Sequence, residues 1–310
     1  MRPNRGISTV ADVSLALVLV VAAVGVLAAF AGGNATKHNP QQTEYSVQTI
    51  AASTMNVSYT LLPAMDRHYE TQSTINSTDD DAVERVAHEP VASLIADIAV
   101  ANSSIGGQQL LKGVGDYERA VEEALQTRLV GSRFEMGVSA VWTPFGGAVM
   151  QGDALLGEQP PPGADVSTTT IAVPSGIPDA RQAAIEAVTG PQAYDAVARA
   201  VANATISGYF PERETQLALE RTGVDSQLTR YRYKRLATVS DGDPSVFAEH
   251  DWLNPSHADA GAANAYLSQR LTAIFKSQLQ SLHGNRYENA MEAAKHVSTG
   301  TVTLTVNTWT

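Results

Sequence analysis

The chain has 310 residues, with 32 Asp and Glu against 21 Lys and Arg, a net charge of −11, no cysteine, and 44% hydrophobic but only 6% aromatic residues. That length suits one large domain or two modest ones; the acidic balance argues against nucleic acid as a main partner, because phosphate binding needs a basic stripe. The lack of cysteine excludes disulfides, thiolate nucleophiles and Cys-ligated zinc or iron–sulfur sites, and 16 Arg against 5 Lys with excess acid is the composition expected of a protein kept soluble in high salt.

The first 33 residues carry the strongest signal. Arg2 and Arg5 come first, and residues 13–31 follow as 19 positions with Ser14 alone polar and no charge. At about 1.5 Å per residue such a helix covers roughly 28 Å, close to the thickness of a hydrocarbon core. Gly32, Gly33 and Asn34 end it. The arginines precede the run and no basic cluster follows, so the positive-inside rule places the N-terminus in the cytoplasm and everything after residue 33 outside. Ala22, Ala23, Gly25, Ala28 and Ala29 form a small-residue face that permits close approach of another helix. Three readings of the segment stand together: a secretory signal peptide cut near residues 28–31, a plain signal anchor, and a retained helix behind a short cytoplasmic leader.

The order of residues resembles the third. Arg5-Gly6 ahead of Ile7 and the apolar run is similar to the class III signal of archaeal type IV pilins and pilin-like proteins. In that family a membrane peptidase cuts after a small residue that follows a basic one, and the apolar helix is kept. The resemblance implies a cut between Gly6 and Ile7 and a mature protein beginning ISTVADVSLALV. Pilins also use an early acidic residue, commonly the fifth mature position, to meet the N-terminal amine of a neighbouring subunit. Asp12 would be the sixth here; the alternative is an interfacial Asp favoured by the positive end of the helix. With RGISTVADVSLALVLVVAAVGVLAAF and its acidic, cysteine-free exterior, the chain resembles haloarchaeal families of membrane-anchored proteins that accompany pilus-type (Tad-like) export machinery. That resemblance implies a membrane and other pilin-like or export-system subunits as partners, and it assigns no catalytic residue.

Residues 34–43 are a polar spacer, and 44–310 make the expected extracellular domain. Alternation through Tyr45 and Val47, then Met55, Val57, Tyr59 and Leu61, predicts one or two strands ending at Pro63. Residues 76–81, NSTDDD, read as a loop followed by a helix start. Pro90 opens a second helical stretch with Val91, Leu94, Ile95 and Ile98 on one face, and residues 116–129 repeat the pattern with Tyr117, Val121 and Leu125. Alternation returns over 133–142, where Phe134, Met136, Val138, Ala140 and Trp142 share a side, and stops at residues 144–147, PFGG. Residues 157–166, with three consecutive prolines, are either a boundary between two lobes or a long surface loop within one domain. A short strand is expected over 167–173. Residues 178–240 are alanine-rich and helical, interrupted at Gly190-Pro191 and Gly208–Pro211. The clearest amphipathic helix is 258–282, carrying Leu267, Leu271, Ile274, Phe275 and Leu282. The closing TVTLTVNTWT is a strand that needs a partner, and 133–142 is the natural one. The expected fold is an α+β ectodomain after one N-terminal transmembrane helix.

Motifs add little chemistry. N-x-[ST] sequons at Asn34, Asn56, Asn76, Asn102 and Asn203 all follow the apolar run and suit an exported, glycosylatable surface. The stretch 241–259 gathers Asp241, Asp243, Glu249, His250, Asp251, His257 and Asp259, oxygen and imidazole groups that could hold calcium or a transition metal. It lacks the DxDxDG order of a calcium loop, and a solvated acidic loop is the plainer reading; no metal and no cofactor is expected. The run 230–235, RYRYKR, is the basic cluster of the chain, read as structural pairing with the many acids or as a subunit contact. No GxSxG, SxxK, HExxH or phosphate loop occurs, and Glu122-Glu123 belong to a charged helix face. The expectation is a non-enzymatic, pilin-like or accessory component of an archaeal surface assembly. The alternative is a tethered ligand-binding protein or exoenzyme, with 241–259 as its site.

Overall fold

The last strand of the chain, β8 (Thr301–Trp309), is central to the architecture. A computed structural model describes residues 53–61, 84–111, 115–129 and 135–309, all within the compact unit Asn39–Thr310. Val302, Leu304 and Val306 of β8 are fully buried, while the threonines between them face outward. On one side β8 pairs antiparallel with β5 (Glu135–Trp142), with Val306 opposite Val138 and Leu304 opposite Ala140. On the other it pairs with β7 (Val166–Pro174), where Thr168 Oγ1 donates to Asn307 Oδ1 at 2.7 Å across the outer face. β6 (Met150–Gly157) and the short β3 (Ser104–Ile105) and β4 (Gln108–Gln109) complete a six-stranded antiparallel sheet in the order β4-β3-β6-β5-β8-β7. The pairing of the terminal strand with 133–142 is therefore as the alternation predicts. Residues 158–165, with the prolines, connect β6 to β7 of this one sheet.

Helix α1 (Val91–Ala101) lies across the inner face and touches β5, β6, β7 and β8. Its face of Leu94, Ile95 and Ile98 is fully buried, as the spacing predicts. Small residues at Ala96 and Ala99 let it come close to the sheet. Pro90 starts it, and the orphan N–H of Val91 donates to Ser53 O at 2.9 Å. Helix α2 (Gly115–Leu129) buries Val121 and Leu125 and packs on β1 (Thr54–Thr60).

One expectation fails here. The segment after Asp81 does not start a helix: β2 (Glu84–Pro90) is a strand, paired antiparallel along its whole length with β1. Acids ahead of Val83 imitate a helix start, but the residue before a proline is pushed out of the α region, so helix cannot run through Glu89 into Pro90. The exposed β2 carries no apolar alternation strong enough to declare itself.

Short helix α3 (Arg181–Ala187) leads to α4 (Tyr194–Tyr209), then α5 (Glu212–Glu220), α6 (Val224–Val239) and the one-turn α7 (Val246–Glu249). Helix α8 (Ala260–Ser281) packs along α4, burying Leu267, Leu271, Phe275 and Leu279, with Asp259 capping it by accepting from Ala262 N at 2.8 Å. The small α9 (Ala290–Lys295) closes the layer against α3 and α4. The described chain is thus α+β. Among the described residues no helix is long and apolar enough to cross a membrane, and the apolar run 13–31 lies outside them.

Candidate functional site

Helix α1 has one charged residue among eleven, Asp97. With Leu94, Ile95 and Ile98 turned to the sheet, Asp97 stands on the flank, facing the β1–β2 hairpin and α2. Four elements and their edges enclose a cleft of about 450 Å³ around it. Strand β1 contributes Tyr59, β2 contributes His88 and Glu89, α2 contributes Tyr117, and α6 contributes Leu228 and Arg232. A cavity of this size is within the range that holds small molecules.

Strand pairing sets the geometry. β1 buries Met55 and Val57 against α2, so Tyr59, two residues on, also points that way. Its ring meets Tyr117 edge-on with centroids 4.8 Å apart. The N–H of Thr60 donates to Asp116 Oδ2 at 2.9 Å, fixing the end of β1 to the start of α2. On β2, His88 Nδ1 is hydrogen-bonded to Asn56 Oδ1 across the ladder, where the two residues are register partners. Arg85 pairs with Asp225 of α6 at 2.6 Å and holds the hairpin to that helix.

Burial, reinforced by the negative charge of Glu89, pushes the Asp97 carboxyl up to about 7. Burial also raises the Tyr117 and Tyr59 hydroxyls, and on Tyr59 the guanidinium groups of Arg85 and Arg232 pull the other way. A carboxyl that titrates near neutrality beside two phenols in a cleft can take up, release or share a proton, or receive a cation.

A stability consequence follows. Between the ordinary carboxylate range and about pH 7 the unfolded chain gives up a proton that folded Asp97 retains, so stability falls as pH rises through this window. Asp97→Asn should remove that slope. We expect the variant to gain on the parent by roughly 1–3 kcal/mol between pH 4 and pH 8, the full shift being discounted for the solvent that still reaches the half-buried side chain. Urea midpoints at the two pH values measure it, and parallel curves for parent and variant would sink the assignment.

The positions singled out from the sequence are distributed as follows. Gly6, Ile7, Asp12, Asn34 and Asn76 lie outside the described residues. Asn56 is exposed on β1 and Asn203 on α4. Asn102, at the end of α1, is half-buried, and its Nδ2 donates to Asp153 O at 3.2 Å, a bond that a glycan on that nitrogen would strain. Thr205 of the Asn203 sequon is fully buried and donates to Val201 O at 2.8 Å, so any glycan there must be attached before α4 forms.

The stretch 241–259 does not assemble a site. Asp243 accepts from Ser245 N, Glu249 from Ser245 Oγ, Asp259 caps α8, and the His250 ring stacks on Trp252 at 4.7 Å. These are local turn and cap roles. Among the described residues no group of three His, Cys, Asp or Glu is placed to hold a metal ion. The basic run 230–235 is a half-buried stretch of α6: Tyr233 donates to Asn264 Oδ1 at 2.6 Å, Arg235 Nε to Gln109 O at 3.0 Å, and Arg232 reaches the cleft. Sequence reasoning missed Asp97, although a lone charge within VASLIADIAVA was the available signal.

A family of unknown function, DUF7284, matches residues 11–309. The chain belongs to that family. The match takes in the sheet, every described helix and the Asp97 cleft, so the whole fold belongs to the family unit. No curated protein and no solved structure matches the chain.

Proposed function

We propose that this DUF7284 chain is a single-span, non-enzymatic component of an archaeal pilus- or export-type surface assembly, its N-terminus cytoplasmic and its α+β domain outside. The uncharged run 13–31 behind Arg2, Arg5 and Gly6 carries the reading. The family match begins at residue 11 and includes the whole apolar run. In this reading the small-residue face of the anchor packs on neighbouring helices, Asp12 sits at the membrane surface or meets a neighbour's amine, and exposed Asn56 and Asn203 are glycan acceptors.

The test is the N-terminus of the mature protein. Mass spectrometry of protein from native membranes should find a chain beginning at Ile7, and Gly6→Asp should leave the precursor uncut. A mature chain beginning at Met1, or downstream of Ala31, would refute pilin-like processing. A tethered ligand-binding ectodomain is the second reading, and the cleft at Asp97 is the observation that favours it.

A further inference from the structure

We infer that the cleft bounded by Asp97, Glu89, Tyr59 and Tyr117 binds a small organic cation from solution, a primary ammonium or guanidinium group on a short apolar or aromatic stem. The inference rests on the ligand-binding reading above and does not depend on how the chain is anchored. Two carboxylates and two phenol rings line one cavity. That combination offers a cation charge neutralisation together with ring faces and edges, the chemistry by which proteins hold ammonium and guanidinium groups. Leu61, Leu111 and Leu228 add an apolar wall against which a stem can lie.

The charge distribution within the cleft sets the sign of the ligand. The charged and titratable groups lining the cleft beside Asp97 are Glu89 from β2, Tyr59 from β1, Tyr117 from α2 and Arg232 from α6, with His88 of β2 at the edge, its ring bonded to Asn56 on the other face of the strand pair. Arg232 and Arg85 act on Tyr59, but the charge that acts on Asp97 is that of Glu89, and it is negative. Arg85 is drawn to Asp225 on α6. Once Asp97 is ionised, the field on its side is that of two like charges in a partly desolvated space. An anion entering there would add a third, whereas a cation offsets the repulsion between the two. Asp97 is about half protonated near pH 7, so binding a cation releases that share of its proton and affinity is coupled to pH.

The experiment is calorimetric titration of the full-length chain with benzylammonium and n-butylguanidinium, against butyrate and benzyl alcohol as controls. The cations are expected to bind with a Kd on the order of 1 mM or tighter, and about tenfold more weakly at pH 6 than at pH 8 as Asp97 takes up its proton. Asp97→Asn should weaken binding at pH 8 at least about tenfold and abolish the pH step, while keeping His88 and the rest of the cleft. Tyr117→Leu should weaken it several-fold. Asp97→Asn is expected to fold at least as well as the parent, and an unchanged circular dichroism spectrum keeps lost binding distinct from lost structure. Cation binding untouched by Asp97→Asn, or butyrate binding more tightly than the cations, overturns the cation assignment but leaves the cleft a ligand site. If none of the four probes binds, the ligand-binding reading falls with it.

Discussion

Gly152→Ala is expected to destabilise the domain by roughly 3 kcal/mol or more, a large part of the 5–15 kcal/mol that typically separates folded from unfolded chains. Gly152 faces inward on β6 beneath the C-terminal turn of α1. A Cβ built there would lie 2.0 Å from Ala99 O and 2.6 Å from Ser103 Oγ. The first contact is with a helix carbonyl, which no rotamer change can move. Relief requires α1 to lift from the sheet, and α1 touches four strands of that sheet with Leu94, Ile95 and Ile98 fully buried. The displacement would also carry Asp97 away from the hairpin, so the variant should lose the Asp97-dependent slope of stability with pH as well as stability itself. Gly190→Ala is the matched control. Nothing lies within 4 Å of a Cβ there, and its backbone is not left-handed, so a change below about 1 kcal/mol is expected. Urea midpoints of the three full-length chains make the comparison, and near-equal values for Gly152→Ala and the parent would mean that α1 does not sit as described.

What could be read from the sequence depended on how purely each segment wrote its period. Strand β8 alternates Val302, Leu304 and Val306 with threonines, so both its nature and its pairing with β5 were legible. Helix α8 repeats Leu267, Leu271 and Phe275 at helical spacing, and α1 does the same with Leu94, Ile95 and Ile98. Strand β6 escaped notice because its inward positions are Met150, Gly152, Ala154 and Leu156, and two of the four are too small to register as apolar. The close approach of α1 that requires that smallness is invisible until the fold is known. Strand β2 escaped because it is an exposed partner of β1, held by its ladder rather than by burial.

The candidate site was less legible than the fold for a related reason. Its residues come from β1, β2, α1, α2 and α6, and no two of Tyr59, Asp97, Tyr117 and Arg232 are close in the chain. The stretch 241–259 displayed the opposite bias: it concentrates acids and histidines in sequence, yet the fold spends them on turns, a helix cap and a stacked ring. Density of reactive side chains along the chain proved a poor guide, whereas the one charge inside an apolar helix, a signal left unused, marks the cleft. Asp97 also connects the two: the helix that needs Gly152 to seat it is the helix that carries the carboxyl.

Trp142→Ala should cost roughly 3–5 kcal/mol, and Trp142→Phe distinctly less. Trp142 is fully buried at the end of β5, directly opposite Gly152 on one side and Val302 on the other, with the Tyr209 ring edge-on at 6.4 Å. Its bulk borders the space that the glycine leaves, so truncation opens a cavity next to the seat of α1. Its indole Nε1 donates to Thr299 O at 2.8 Å. That carbonyl also accepts from Ser175 Oγ at 2.7 Å, while Thr299 Oγ1 donates to Pro178 O and accepts from Ala180 N. Thr299 therefore ties the end of β7, the start of α3 and the entry to β8. Phenylalanine keeps most of the volume and loses one bond to a carbonyl that retains its second donor, a loss of about 1–2 kcal/mol. Alanine loses the volume as well, and the collapsed wall reaches the β5–β8 seam on which the sheet closes. The gap between the two variants, read from urea midpoints, thus separates packing from hydrogen bonding at this position. Equal costs would show that the Thr299 bond, and not the buried ring, is what the strand end depends on.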